Sequence, residues 1–201
     1  AYSKTASIDR TPAKAQEIEI GFDKGVPVSL DGKRLSPVAL IDKLNALAGA
    51  HGVGRGTHLG DTILGIKGRI AFEAPGTLIA IAAHRELEKL VLTALQQQWK
   101  NQAGEAYGNF LHSGLTFDPV VRDLEALIDS SQTAVTGDVR VRLRQGQISV
   151  EGVRSRRSLM APKAARYKGQ PVPSGQFVVA EPLHQHGARQ RRDEAGAQAV
   201  D

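Results

Sequence analysis

Regular alternation of apolar and polar residues marks two hairpins in this chain. Every second residue is apolar in residues 18–22 and again in residues 26–30, with Lys24-Gly25 between the two runs. The same alternation runs through residues 139–143 and resumes at Ile148 and Val150 after a turn. A period of two residues is typical of half-buried β-strands, and glycine between two such runs favours a hairpin. The pattern therefore predicts strand pairs near the beginning and the end of the fold.

Helical spacing of apolar residues predicts three main helices between these hairpins. Ser36-Pro37 and Asp118-Pro119 each place a capping side chain before a proline, which is well tolerated at the first helical position. A third helical pattern runs from about residue 77 to residue 100, and a shorter helix is predicted around residues 105–111. The order ββ-α-β-α-α-ββ favours an α+β fold with a mostly antiparallel or mixed sheet of hairpin strands.

A glycine-rich stretch lies between the first and second predicted helices. Residues 49–76 contain eight glycines in 28 residues, although the whole chain has 21 in 201. Residues 62–73 nevertheless look strand-like, and we expect Ile66, Ile70 and Phe72 to point inward. Glycine within a strand often marks a close approach by another backbone or by a ligand. This stretch is therefore the first place to look for function.

The two ends of the chain show no periodicity. Residues 1–15 are polar and are interpreted as a linker or a cut end. Residues 183–201 are rich in Gln, Ala, Arg and His, which predicts a flexible C-terminal tail. One short apolar run, residues 177–179, precedes the tail. We therefore expect the folded domain to span residues 16–182.

Composition excludes several classes of protein. The chain has no cysteine, so disulfide scaffolds, thiolate-held metals and cysteine nucleophiles are excluded. The longest apolar run, residues 78–83, is far shorter than the ~20 residues of a membrane span. The first residues also lack the apolar core of a signal peptide. These features predict a cytoplasmic protein without a membrane partner.

The positive charge is concentrated in one stretch. The net charge is +5, and residues 138–168 hold nine basic and two acidic residues, or +7, which leaves −2 for the rest. Arg140, Arg142 and Arg144 would share one strand face, either as a phosphate-binding strip or as a solvated face. Aromatic residues make up only 4% of the chain, which offers little for base stacking. A basic nucleic-acid binder is therefore the least favoured hypothesis.

Motifs for phosphate or metal binding are weak. Residues 52–56, Gly-Val-Gly-Arg-Gly, resemble a phosphate loop only in glycine content, and a helix-to-strand turn is the simpler interpretation. The six histidines show no i,i+4 pair with an adjacent carboxylate, so we predict no metal site.

Lys67, Arg69 and Glu73 would lie on one side of a strand, either to bind a zwitterionic ligand or as a surface ion-pair ladder. Both interpretations stay open on the pattern alone.

Ordered motifs in the glycine-rich stretch and around it carry a resemblance to a known family. They are Gly52-Val53-Gly54-Arg55, Gly65-Ile66-Lys67-Gly68-Arg69, Phe72-Glu73-Ala74-Pro75, Ala83-His84 with Leu87-Glu88, and Val135-Thr136-Gly137. Together they resemble the C-terminal half of argininosuccinate synthase over roughly residues 15–160. The variants His58-x-Gly60-Asp61-Thr62 and Trp99-Lys100 are similar to a divergent bacterial branch of that family.

The resemblance implies a ligase that joins citrulline to aspartate in arginine biosynthesis. Such an enzyme converts ATP to AMP and pyrophosphate through a citrullyl-adenylate. It implies ATP with Mg bound mainly by an N-terminal nucleotide-binding domain, whose S-G-G-x-D-[ST]-S loop this sequence lacks. The chain would then be the synthetase and multimerisation domain of a tetramer, inactive alone. The alternative is a non-catalytic oligomerisation or interaction module.

The resemblance also implies a substrate site in this region, although it identifies no catalytic residue. A glutamate and a tyrosine hold citrulline in the family, and Gly60 and Phe72 occupy their positions here. Asp61 is the nearest carboxylate that could replace the glutamate, and Phe72 keeps the ring without the hydroxyl. The predicted substrate-binding residues are Asp61, Arg69, Phe72 and Glu73.

Overall fold

The structure is a computed structural model that describes residues 2–160. The predictions for residues 177–179 and for the C-terminal tail lie outside the described residues. The strands are β1 (Gln16–Asp23), β2 (Val26–Leu30), β3 (Lys33–Arg34), β4 (Arg55–Asp61), β5 (Lys67–Glu73), β6 (Gly137–Arg144) and β7 (Gln147–Arg154). The helices are α1 (Pro37–Ala50), α2 (Pro75–Val91), α3 (Ala94–His112) and α4 (Pro119–Gln132), with a 3-10 turn at Ile8–Arg10.

Both predicted hairpins form and join into one antiparallel sheet. Its strand order is β3-β2-β1-β6-β7, so β1 and β6 are neighbours although more than a hundred residues separate them. In their register Ile18 faces Val141 and Ile20 faces Val139, which places the apolar residues of both strands on one face. The α+β class predicted from the sequence is confirmed.

Helices α1 and α2 cover the apolar face of this sheet. They pack against each other and against β2, β6 and β7. The side chains that are fully enclosed between sheet and helices are Ile20, Leu40, Leu44, Ile79, Leu87, Val139, Val141 and Leu143. We call the five-stranded sheet together with α1 and α2 the body.

Capping side chains fix the helix starts as the sequence predicts. The Ser36 hydroxyl accepts a hydrogen bond from the Ala39 N–H before α1. The Asp118 carboxylate accepts one from the Val120 N–H before α4. Each cap satisfies an N–H group that has no partner within its helix.

The prediction of one long helix over residues 77–100 is wrong, because the chain forms two helices there. α2 ends at Val91, and Leu92 takes an extended conformation before α3 begins. Thr93 and Gln96 form a reciprocal capping box, with the Thr93 hydroxyl accepting from the Gln96 N–H at 3.2 Å. α3 then absorbs the short helix predicted at residues 105–111. The described residues therefore contain four helices of at least 14 residues, where the sequence predicts three main helices and one shorter helix.

The glycine-rich stretch forms a separate two-stranded sheet that we call the ribbon (β4–β5). Strand β4 was missed, because its glycine and polar residues show no apolar alternation. The expectation that three apolar residues in or next to β5 point inward is also wrong. Ile66, Ile70 and Phe72 are 62%, 64% and 38% exposed. Within residues 2–160 the ribbon strands pair mainly with each other, and no helix covers either face as α1 and α2 cover the body sheet.

Helices α3 and α4 form a helical hairpin that we call the arm. They pack mainly against each other and bury one residue each, Ala103 and Val121. Large apolar side chains remain exposed along it, with Trp99 at 60% and Phe117 at 98%. Within residues 2–160, none of the helices has both the length and the apolar character that a membrane span needs.

Candidate functional site

The base of the ribbon is anchored to the body by close backbone contacts. The Ala74 N–H donates to the Gly54 carbonyl at 2.8 Å. Gly54 has a φ of 109°, and a Cβ there would lie 2.2 Å from the Pro75 Cα. The Gly76 N–H at the start of α2 donates to the Asn45 side chain of α1 at 2.8 Å. Glycine is therefore required at Gly54 both by backbone conformation and by space.

The ribbon presents two different faces, because side chains alternate along a strand. One face, which we call the charged face, carries Arg55 and Asp61 from β4 together with Lys67, Arg69 and Glu73 from β5. Phe72 lies on the opposite face. The structure therefore brings Asp61, Arg69 and Glu73 onto one face and leaves Phe72 on the other.

Asp61 lies at the tip of the ribbon, far from Glu73 at its base. Its carboxylate pairs with Lys67 at 2.6 Å, and both side chains are about two-thirds exposed. Glu73 faces Arg55, six residues from Asp61 along β4, a separation of about 20 Å at the usual rise per residue. Asp61 and Glu73 therefore do not contact one amino-acid ligand together. Arg69, which faces Leu59, lies between them and is exposed.

Phe72 packs over the glycine opposite it. Gly56 faces Phe72, and a Cβ at Gly56 would lie 2.8 Å from the ring. Nearer the tip, a Cβ at Gly60 would lie 2.5 Å from the His58 imidazole. The imidazole therefore fills the space beside Gly60, and a glutamate at that position would displace it.

Glu73 binds the start of the described chain. Its carboxylate accepts hydrogen bonds from the Ser3 N–H at 2.7 Å, the Lys4 N–H at 2.9 Å and the Thr5 hydroxyl at 2.6 Å. Partial desolvation alone would raise the pKa of Glu73. These hydrogen bonds to the charged form outweigh that effect and lower the pKa from 4.5 to about 2. Glu73 is therefore ionised and fully engaged at neutral pH.

Arg55 holds the same segment from the other strand. Its guanidinium donates to the Thr5 hydroxyl at 3.0 Å, to the Thr5 carbonyl at 2.6 Å and to the Ala6 carbonyl. The Tyr2 ring stacks over it, with the guanidinium carbon 4.7 Å from the ring centre. Residues 2–6, which we call the leading segment, are thus in contact with the ribbon. The sequence carried no signal for this role of Thr5.

The glycine loop that precedes the ribbon does not fit a phosphate. Gly54 packs against Pro75, Gly52 lies close to the Ala6 carbonyl, and Arg55 is bound to Thr5. Its backbone is thus engaged with the protein itself. Nor do the described residues bring three or more His, Asp or Glu side chains together as a metal site would require.

The arginine-rich face of β6 is electrically balanced. Arg142 pairs with Glu17 at 2.7 Å and Arg154 pairs with Asp138 at 2.9 Å. The charged side chains on this side of the sheet are Arg140, Arg142, Arg144 and Arg154, with Glu17, Glu19, Asp138 and Glu151. Because carboxylates lie among the arginines, the strip gives little support to nucleic-acid binding.

A buried charge cluster joins the arm to the body. Glu88 of α2, whose side chain is 6% exposed, accepts from Lys100 of α3 at 2.8 Å and from Gln132 of α4 at 2.8 Å. The Gln132 carbonyl oxygen lies 2.8 Å from the His84 imidazole. Burial lowers the pKa of His84 despite the nearby Glu88. A groove of about 920 Å³ between α2, α3 and the β1–β2 turn borders this cluster. The sequence analysis did not predict this cluster. The one signal for it was the position of Glu88 next to the apolar stripe of α2.

These features define a two-layer α+β domain with an anchored ribbon and a projecting helical arm. Its sequence matches the family model described as "Arginosuccinate synthase C-terminal domain" over residues 1–174. The chain belongs to the argininosuccinate synthase family.

Curated relatives agree with this assignment. The chain is 44% identical over 166 residues to the argininosuccinate synthase of Synechococcus elongatus, covering 83% of this chain and 42% of that protein. The argininosuccinate synthases of Rippkaea orientalis and Thermosynechococcus vestitus are each 43% identical over 83% of this chain, which covers 42% and 41% of their lengths. The chain thus spans about two fifths of the curated relatives that it matches.

Proposed function

We propose that this chain is the C-terminal portion of an argininosuccinate synthase, which joins citrulline and aspartate with ATP in the cytoplasm. The observation that most supports this function is the similarity to curated argininosuccinate synthases over 83% of the chain. On this proposal residues 16–182 form the synthetase domain and residues 1–15 connect it to the preceding domain. Activity requires an N-terminal nucleotide-binding domain in addition to this chain.

ATP and Mg are proposed to bind mainly to that N-terminal domain. The glycine loop of this chain is engaged with Pro75 and Ala6, which supports a structural role for it. The present chain then contributes residues that hold the amino-acid substrates.

The charged face of the ribbon is the proposed substrate surface. Arg69 and Lys67 offer cations for a substrate carboxylate, and Asp61 offers a carboxylate for an ammonium group. Asp61 and Lys67 are about two-thirds exposed, so a ligand can reach both. Glu73 contributes from the base of the ribbon through the leading segment, whereas the proposed contribution of Phe72 comes from the opposite face, where its ring packs over Gly56.

The test is Asp61→Ala in the complete protein that includes the nucleotide-binding domain. We expect the KM for citrulline to rise about tenfold, because one charged hydrogen bond to substrate is lost. Asp42→Ala on the exposed side of α1 is the matched control and should leave that KM unchanged. If Asp61→Ala is active with an unchanged KM, Asp61 does not bind citrulline. If the unaltered complete protein makes no argininosuccinate, the proposed function itself is contradicted.

A non-catalytic oligomerisation module is the second candidate, and the arm is the observation that favours it. Trp99, Leu115 and Phe117 are 60%, 49% and 98% exposed, which is unusual for a surface without a partner. We propose that the arm contributes to a homo-oligomer, for which the family suggests a tetramer. Light scattering measures the mass, and calorimetry with citrulline and aspartate separates the two candidates. A stable oligomer that binds neither substrate, with or without the N-terminal domain, favours the module.

A further inference from the structure

The base of the ribbon recognises the main chain of the leading segment. Arg55 and Glu73 face each other across the two strands, where opposite charges would ordinarily pair with each other. Glu73 instead accepts from backbone N–H groups of residues 3 and 4, and Arg55 donates to backbone carbonyls of residues 5 and 6. The anion binds donors and the cation binds acceptors, so the pair fixes the direction and path of the chain.

Thr5 joins the two charges through a single hydroxyl. That hydroxyl donates to the Glu73 carboxylate at 2.6 Å and accepts from the Arg55 Nε at 3.0 Å. A hydroxyl has one donor and two acceptor positions, so it serves both partners at once. Thr5 is 7% exposed, which is unusual for a polar residue in a linker.

The opposite side of the leading segment lies against α1 of the body. The Ala6 N–H donates to the Gly49 carbonyl at 2.8 Å. A Cβ at Gly49 would lie 2.2 Å from the Lys4 carbonyl oxygen, so only glycine allows this approach. The segment is therefore held between a helix of the body and the base of the ribbon.

We propose that Arg55 and Glu73 form a clamp on residues 3–6 that sets the position of the preceding nucleotide-binding domain relative to the ribbon. The positioning role rests on the function proposed above. The clamp lies on the charged face, which also carries Asp61 and Arg69. Arg55 and Glu73 are positioning residues that act through the leading segment and need not touch substrate.

The first experiment measures the clamp in the chain itself by NMR amide exchange. Glu73→Gln removes the charge and one acceptor oxygen, so the Ser3 and Lys4 amides should exchange about tenfold faster. Thr5→Val, which keeps the shape of the side chain, should act in the same direction, whereas Thr5→Ser should behave like the wild type. Glu86→Gln on the exposed face of α2 is the matched control. Unchanged exchange in both Glu73→Gln and Thr5→Val overturns the clamp.

Gly49→Ala provides a variant that leaves both clamp side chains intact. Its methyl group would lie against the Lys4 carbonyl and push the segment away from α1. Trypsin cleavage after Lys4 should accelerate in Gly49→Ala as it does in Glu73→Gln, by about tenfold. If cleavage after Lys4 is fast in the wild type, the leading segment is not held and the clamp is contradicted.

The second experiment uses the complete protein and separates positioning from substrate contact. Glu73→Gln and Gly49→Ala should both lower kcat about tenfold, while each KM for citrulline and aspartate stays within about twofold. Small-angle scattering should show an increased radius of gyration in both variants. A raised KM in Glu73→Gln alone indicates a substrate ligand and overturns the positioning role. If the wild type makes no argininosuccinate, the proposed function fails, and the scattering result alone still decides the positioning role.

Discussion

The body and the ribbon use strands of similar length and bury them very differently. Ile18 and Ile20 in β1 are 2% and 0% exposed, whereas Ile70 in β5 is 64% exposed. The body sheet is covered by α1 and α2, while the ribbon strands pair mainly with each other. Apolar residues on a strand are therefore buried only where a second element covers them. Within residues 2–160 the ribbon and the arm therefore keep apolar side chains exposed that the body would bury.

Truncating one leucine in each region is expected to give the largest contrast. Leu44→Ala removes a side chain that is 0% exposed in the core and should lower the free energy of unfolding by about 3–4 kcal/mol. Leu64→Ala removes one that is 84% exposed at the ribbon tip and should change it by less than about 0.5 kcal/mol. Urea unfolding followed by circular dichroism measures both. Similar losses in the two variants would show that the ribbon tip is buried in solution.

The arm is attached to the body by charge, and breaking that attachment should have the next largest effect. Glu88→Ala leaves the Lys100 ammonium and the Gln132 amide without their common acceptor. The expected loss of unfolding free energy is about 2–3 kcal/mol, measured by urea unfolding.

Two further variants test the reason for this effect. Glu86→Ala breaks an ion pair on the outside of the same helix and should cost less than about 0.5 kcal/mol. Lys100→Met combined with Glu88→Ala should recover part of the loss, because it removes the unpaired buried charge. Additive losses in the double variant would contradict the coupling between the two residues.

The body could be predicted from the sequence because its signals are local. Alternation over residues 18–22 and 139–143 and the cap at Ser36 are confirmed as hairpins and a helix start, and the equally local cap at Asp118 is confirmed in the arm. The break at Thr93 was missed, since a threonine and a glutamine within a helical pattern indicate a capping box only once the chain is seen to turn. Strand β4 was missed because glycines conceal the alternation.

The site was harder to predict because its contacts are long-range. The pattern placed Lys67, Arg69 and Glu73 on one side of a strand, and the ribbon bears this out. It could not reveal that Glu73 binds residues about seventy positions earlier, because nothing near Thr5 marks it as a partner. The substrate roles of Asp61, Arg69, Phe72 and Glu73 remain predictions.

Acid is expected to weaken the docking of the leading segment on the ribbon, because the Glu73 carboxylate that binds it becomes protonated. The pKa of Glu73 is about 2 with the segment docked, against 4.5 for an ordinary glutamate. A carboxyl whose pKa is lowered by docking favours the docked state above pH 4.5 and loses that contribution as the pH falls toward 2. The Ser3 and Lys4 amide shifts, followed by NMR through this range, should report the release. An inflection near 4.5 would show that Glu73 is free, and the Glu73→Gln variant should show no inflection.

Phe72→Tyr is expected to have the smallest effect and tests which kind of surface the ring occupies. The ring packs over Gly56 on one side and is 38% exposed, so a hydroxyl at its edge can reach solvent. The free energy of unfolding, measured by urea unfolding, should change by less than about 0.5 kcal/mol. In the complete protein the KM for citrulline should stay constant or fall, because a phenol can donate a hydrogen bond that phenylalanine cannot. An insoluble or strongly destabilised protein would show that the ring edge is enclosed, and that the ribbon packs in solution more like the body.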